Sequence, residues 1–75
     1  MFYYECMEEN IFNKVCLNIA KNRIAKNLSA YELSLRLGKD ASYVNKLESG
    51  KINISLKSLI HLSDVLEIDV KDLFI

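Results

Sequence analysis

The sequence predicts an all-α fold of five short helices, and three observations carry that prediction. The 75-residue chain has no proline and only two glycines, while about half of its residues are apolar. That profile suits short helices joined by tight turns and supplies too few turn residues for a β-sandwich. A capping box, Ser29-Ala30-Tyr31-Glu32, opens one helix, and Gly38 stands where that helix needs a left-handed residue to close. Lys39 alone separates Gly38 from Asp40, itself an N-cap residue, so two helices meet across a very short turn.

Residues 1–10 read as an N-terminal arm or extension ahead of a folded unit at 11–75. They mix Phe2, Tyr3 and Tyr4 with Glu5, Glu8 and Glu9 without a clear period. A disordered arm, a strand pairing across a dimer and an extension capping the core all fit, and Met7 offers an alternative start. From Ile11 the period becomes helical. Ile11, Val15 and Ile19 recur every four residues with Phe12 and Cys16 one step behind, while Lys14, Asn18, Lys21 and Asn22 fall opposite. Asn10 is the expected N-cap of this helix, and Asn27 tolerates the left-handed residue that ends it.

The second helix runs from Ala30 to about Leu37 and anchors inward through Leu33 and Leu37. The third spans about Ala41 to Ser49, closes at Gly50, and anchors through Val44 and Leu47, three residues apart. Helices joined by so short a turn cannot lie antiparallel and must cross steeply, which demands a small residue at the contact; Ser34 supplies it. A fourth helix follows the Ser55 cap and carries Leu56, Leu59, Ile60, Leu62 and Val65, and Asp69 caps a last turn from Val70 to Phe74. Tyr31 and Leu35 are expected to point away from the core. The terminal Leu73-Phe74-Ile75, with Leu66 and Ile68, is a candidate dimer surface.

The formal net charge is zero, but it is unevenly spread. Residues 1–10 carry a net −3, residues 11–51 a net +5, and residues 52–75 a net −2. A basic island between acidic ends attracts phosphate through its local field, whatever the total. Two cysteines, Cys6 and Cys16, do not make a disulfide framework, and with His61 they show no zinc spacing. His61 reads as a core-edge residue. No run is apolar enough to span a membrane and no secretory signal is evident, so a cytoplasmic, reduced protein is expected. No catalytic set and no phosphate-binding glycine loop is present, and neither an enzyme nor a cofactor is expected.

The stretch Leu28 to Gly50 resembles the phage-repressor (Xre/Cro-type) helix-turn-helix family. The resemblance lies in Leu28-Ser29, Glu32-Leu33, Leu37-Gly38, Tyr43-Val44 and Leu47-Glu48-Ser49-Gly50-Lys51. It continues through Ser55-Leu56, Leu59, Leu62 and Asp69-Val70-Lys71-Asp72-Leu73-Phe74, so it covers about residues 11–74. It implies a compact five-helix bundle, lambda-repressor-like, that binds operator DNA as a two-fold dimer with its third helix as the recognition helix. It also implies an ion pair between Arg23 and Glu48 that joins the first helix to the third. The chain departs from the family pattern at Ala30, commonly Gln, at Ile54, often Pro, and at Glu67, often Gly. The Ala30 side chain cannot hold a phosphate.

With Val44 and Leu47 inward, Ala41, Ser42, Asn45, Lys46 and Ser49 face outward, and a recognition helix reads base edges from its N-terminal end. Asn45 suits adenine, Lys46 suits guanine O6 and N7, Ser42 suits either, and Ala41 can touch a thymine methyl. Phosphate contacts are expected from Ser29, Ala30 and Tyr31 at the second helix N-terminus, and from Tyr43, Ser49, Lys51 and Asn53. The partners expected are duplex DNA and a second copy of the chain. The alternative is a protein-interaction module on the same fold, such as an antitoxin that occupies a toxin.

Overall fold

The computed structural model describes residues 2–75, with side chains described from Asn10 onward. Four α-helices follow one another: α1 (Phe2–Ala25), α2 (Ala30–Arg36), α3 (Tyr43–Glu48) and α4 (Leu56–Leu66). A 3₁₀ turn, Val70–Leu73, comes last, and no strand occurs among the described residues. The fold is all-α, but its fifth element is this turn and not a fifth α-helix. Its bonds run i→i+3, from Asp72 N–H to the Asp69 carbonyl and from Phe74 N–H to the Lys71 carbonyl, both 2.9 Å. The Leu73 carbonyl is drawn instead to the Asn18 side chain of α1, at 3.1 Å.

All four α-helices close in the same way, with one left-handed residue and a pair of crossing backbone bonds. After α2, Gly38 N–H bonds the Leu35 carbonyl while Lys39 N–H reaches back to Ser34. After α3, Gly50 bonds Leu47 and Lys51 reaches Lys46. The same pattern ends α1 through Asn27 and Leu28, and α4 through Glu67 and Ile68. Gly38 and Gly50 take φ of +74° and +77° at no steric cost, whereas Asn27 (+59°) and Glu67 (+60°) carry a Cβ there.

The core gathers Val15, Ile19, Leu28, Leu33, Leu37, Val44, Leu59, Leu62, Leu66 and Leu73. It sits where α2, α3, α4 and the 3₁₀ turn meet the C-terminal half of α1. The molecule measures 40 × 23 × 21 Å. Its long axis reflects α1, whose 24 residues span about 36 Å at a helical rise of about 1.5 Å each.

Several readings of the sequence are corrected. Asn10 does not cap α1, because the helix already runs through residues 2–10. The cover imagined from Phe2, Tyr3 and Tyr4 concerns side chains outside those described. Ile11 is half exposed, not inward, because steps of four residues drift around a 3.6-residue helix and the buried face centres on Val15 and Ile19. Asn18, placed on the solvent side, is buried under the C-terminal end and donates to the Leu73 and Ile75 carbonyls. Leu56 and Ile60 are exposed, while Leu59, Leu62, Ser63 and Leu66 form the inner face of α4. His61 is exposed rather than at the core edge. Leu66 and Leu73 are core residues, which leaves only Phe74, Ile75 and the half-buried Ile68 of the suggested terminal surface accessible.

Candidate nucleic-acid interface

The interface is built outward from α2. Ser29 Oγ accepts the Glu32 N–H at 2.9 Å, and Ser29 N–H donates to Glu32 Oε1 at 2.8 Å, so the capping box is complete. Hydrogen bonding from Ser29 holds the Glu32 carboxyl below its ordinary range: the Ser29 backbone N–H does most and the Ser29 side chain adds to it. Ser29 and Tyr31 are exposed and Ala30 is half-buried.

The turn into α3 is organised by Asp40. Its Oδ1 accepts from the Ser42 hydroxyl at 2.8 Å and the Ser42 N–H at 3.0 Å, which lowers the Asp40 pKa, the hydroxyl contributing most. Tyr43 N–H bonds the Asp40 carbonyl at 3.1 Å. Ala41 and Ser42 therefore form a turn, and the α-helix expected from Ala41 begins at Tyr43. Asp40 caps that turn and not the helix proper; Ser42 holds the N-cap position without a side-chain cap bond.

Val44 and Leu47 are essentially fully buried, at 0% and 1% exposure. That anchoring leaves Ala41, Ser42, Asn45, Lys46 and Ser49 exposed. Lys51 and Asn53, in the loop to α4, are exposed as well. Tyr43 is half-buried, with Lys39 Nζ 5.4 Å from its ring centroid, a cation–π contact. Two hydroxyl protons on this face are already committed, that of Ser42 to Asp40 and that of Ser49 to the Lys46 carbonyl at 3.1 Å. Ser42 therefore presents acceptor lone pairs, and Ser49 has to exchange its bond before it can donate to a phosphate.

The back of α3 is pinned to α1. Arg23 Nε donates to Glu48 Oε2 at 2.7 Å and an Arg23 terminal nitrogen donates to Oε1 at 3.1 Å. The third guanidinium nitrogen donates to the Leu28 carbonyl at 2.9 Å. The two side chains are only 16% and 14% exposed, and the Glu48 hydrogen bonds raise the Arg23 pKa. Such two-pronged pairing fixes orientation as well as distance.

One side chain that ties α2 to α3 has a duty the sequence does not reveal. Ser34, taken only as a small residue, donates to the Ala30 carbonyl at 2.8 Å and accepts the Val44 N–H at 3.0 Å. Asp40-x-Ser42 was legible as a side-chain-to-backbone turn, since Asp commonly bonds the amide two residues on. Nothing in the local pattern marks the Ser34 bond.

A helix–short turn–helix whose second helix is anchored by two buried apolar residues and offers a polar outer face is a DNA-binding module of transcription regulators. The helix-turn-helix family model matches residues 19–73, and the chain belongs to that family, in its phage-repressor-like branch. Among solved structures, the chain is similar to the crystal structure of a hypothetical transcription factor, NHTF, from Neisseria. The TM-score is 0.83 at 25% identity, over 91% of this chain and 78% of that one. A comparison with curated proteins found no match.

Proposed function

We propose that this chain is a sequence-specific repressor of transcription that reads the major groove of duplex DNA with α3. One observation carries the proposal: α3 buries Val44 and Leu47 and exposes Ala41, Ser42, Asn45 and Lys46 on the opposite side. Asn45 pairs with adenine, Lys46 with guanine, Ser42 with an exocyclic amine, and Ala41 packs on a thymine methyl. Ser29, Ala30 and Tyr31 hold one phosphate stretch. Tyr43, Ser49, Lys51 and Asn53 hold the other, and the basic island at 11–51 supplies the attraction. The DNA-binding unit is residues 11–75, and residues 1–10 are an N-terminal extension of it. The chain works without a cofactor or catalysis, in the cytoplasm, as a homodimer. Two-fold pairing sets the two α3 helices about 34 Å apart, one turn of DNA.

No helix of the described residues is long and apolar enough to cross a membrane. A single feature favours the second reading, a protein partner. It is an open cleft lined by Ile11, Phe12, Val15, Ile54, Leu56 and Phe74, several of them exposed. Selection from random duplexes tests the first reading. A roughly palindromic site is expected, with affinity falling steeply as salt rises. Lys46→Ala changes the preferred base at one position, whereas Lys51→Ala weakens all sequences alike. Failure to enrich any duplex leaves the protein-partner reading.

A further inference from the structure

We infer that Ser34 is a positioning residue for base recognition: its buried hydroxyl ties the phosphate-facing end of α2 to the base-reading helix α3. The inference rests on the DNA reading proposed above and adds to it a residue that touches no DNA.

Alanine would satisfy the packing demand at this helix crossing, so the hydroxyl has to be explained separately. Ser34 is 0% exposed. Its one oxygen makes two bonds of opposite sense, donating to the Ala30 carbonyl at 2.8 Å and accepting the Val44 N–H at 3.0 Å. The Val44 amide is one of the first amides of α3, which have no partner within their own helix. Its side chain is fully buried, so water has little access to replace Ser34 there. The Ser42 and Tyr43 amides beside it are met by Asp40, on the exposed side of the turn.

Ala30 and Tyr31 begin the phosphate-facing end of α2, and Ser42, Asn45 and Lys46 flank Val44 on the outer side of α3. The Ser34 oxygen thus joins the element that sets the register on the backbone to the element that reads bases. Base readout demands this rigidity, because hydrogen bonds weaken steeply once donor and acceptor are misaligned. Phosphate attraction does not, since it is long-ranged and tolerant of small displacements. Loosening the Ser34 link should therefore act on discrimination and spare general affinity.

The test compares the parent chain with Ser34→Ala, each measured against the selected duplex and against random duplex over a range of salt. Both proteins are first shown to be folded by circular dichroism at the temperature used. Ser34→Ala should lose about tenfold in affinity for the selected duplex, the scale of one buried hydrogen bond. Its affinity for random duplex should stay within about twofold with an unchanged salt slope, since that binding is electrostatic. Exchange of the Val44 amide should quicken while that of Leu33 does not. Ser34→Cys, similar in size and a weaker hydrogen-bonding group, should fall between the two and carries the test if Ser34→Ala does not fold. An unchanged ratio of selected to random affinity in the variant overturns the inference, even if the melting temperature drops. A parent chain that prefers no duplex overturns the DNA reading itself, an outcome visible before any variant is made.

Discussion

The turn between α2 and α3 and the seam between α1 and the C-terminal end are both held by a buried polar side chain. Ser34 joins residues ten apart in sequence, whereas Asn18 reaches carbonyls 55 and 57 residues away. The first region declares itself through its capping box, its glycine and its spaced valine and leucine. The second gives no local sign, because an asparagine among lysines on a helix reads as solvent-facing. Short-range order here follows from neighbouring residues, while long-range order depends on which segment returns to cover which face.

Arg23–Glu48 is the sharpest probe of that contrast, because it pins the long-range element α1 to the locally determined α3. Glu48→Ala leaves a guanidinium in a site where its side chain is 16% exposed, with only the Leu28 carbonyl as partner. The expected loss is about 2–3 kcal/mol, below the figure for fully buried pairs because some water reaches the site. That corresponds to a fall in Tm of roughly 10–20 °C for a domain of this size. Arg23→Met combined with Glu48→Leu should recover most of it, since both charges are then relieved of desolvation. A single variant that melts within a few degrees of the parent would mean that α3 is seated without help from the ion pair.

Asn18→Ala asks the same of the other seam. Its Nδ2 donates at 3.1 Å to Leu73 and at 3.3 Å to Ile75, and its loss should cost about 1–2 kcal/mol. Hydrogen exchange at Asp72 and Phe74 should quicken while Lys39 and Gly38, which close α2, keep their protection. Uniform loosening of both sets would show the two regions to be one cooperative unit.

The fold was readable where each helix carries its own start and stop signals. Asn27, Gly38 and Gly50 all take the left-handed conformation that their types suggest, and the Ser29 and Ser55 caps both accept the expected amide. It was not readable where burial is decided from outside the element. Ile11 is half exposed because a four-residue stripe drifts around the helix, and Leu73 is buried because its partner in burial lies on α1. In the candidate interface, the division of α3 into inner and outer residues followed from Val44 and Leu47. The hydrogen-bond duties of Ser34, Ser42 and Ser49 did not, since a hydroxyl in a sequence does not say which way its proton points.

Glu67 is the one left-handed position whose residue type gives no hint of it. The conformation at φ +60° costs a residue with a Cβ more than it costs glycine, and the side chain gains little in return. Its contact with Lys26 is 3.8 Å long, with Glu67 82% exposed, so it is well screened. Glu67→Gly should stabilise the fold by about 0.5–1 kcal/mol, read as a rise in Tm. A fall in Tm would show that the entropy glycine adds to the unfolded chain outweighs the relief of strain.

The smallest effect tests whether the locally specified region also has a local weakness. Glu32 and Asp40 are fully exposed, and both have folded pKa values below their ordinary ones, through the bonds from Ser29 and Ser42 respectively. A depressed carboxylate contributes stability that is fully present above its unfolded pKa, about 3.9–4.3, and disappears as pH falls through the folded value. The contribution of these two groups should therefore be flat between about pH 5 and 7 and decline in acid below about pH 4.5. Glu32→Gln keeps an oxygen that accepts the Ser29 N–H but cannot titrate. It should melt close to the parent at neutral pH and show a shallower loss on acidification. An acid limb identical to the parent's would mean that the capping box holds α2 through the Ser29 hydroxyl alone, with the Glu32 half contributing nothing that protonation can remove.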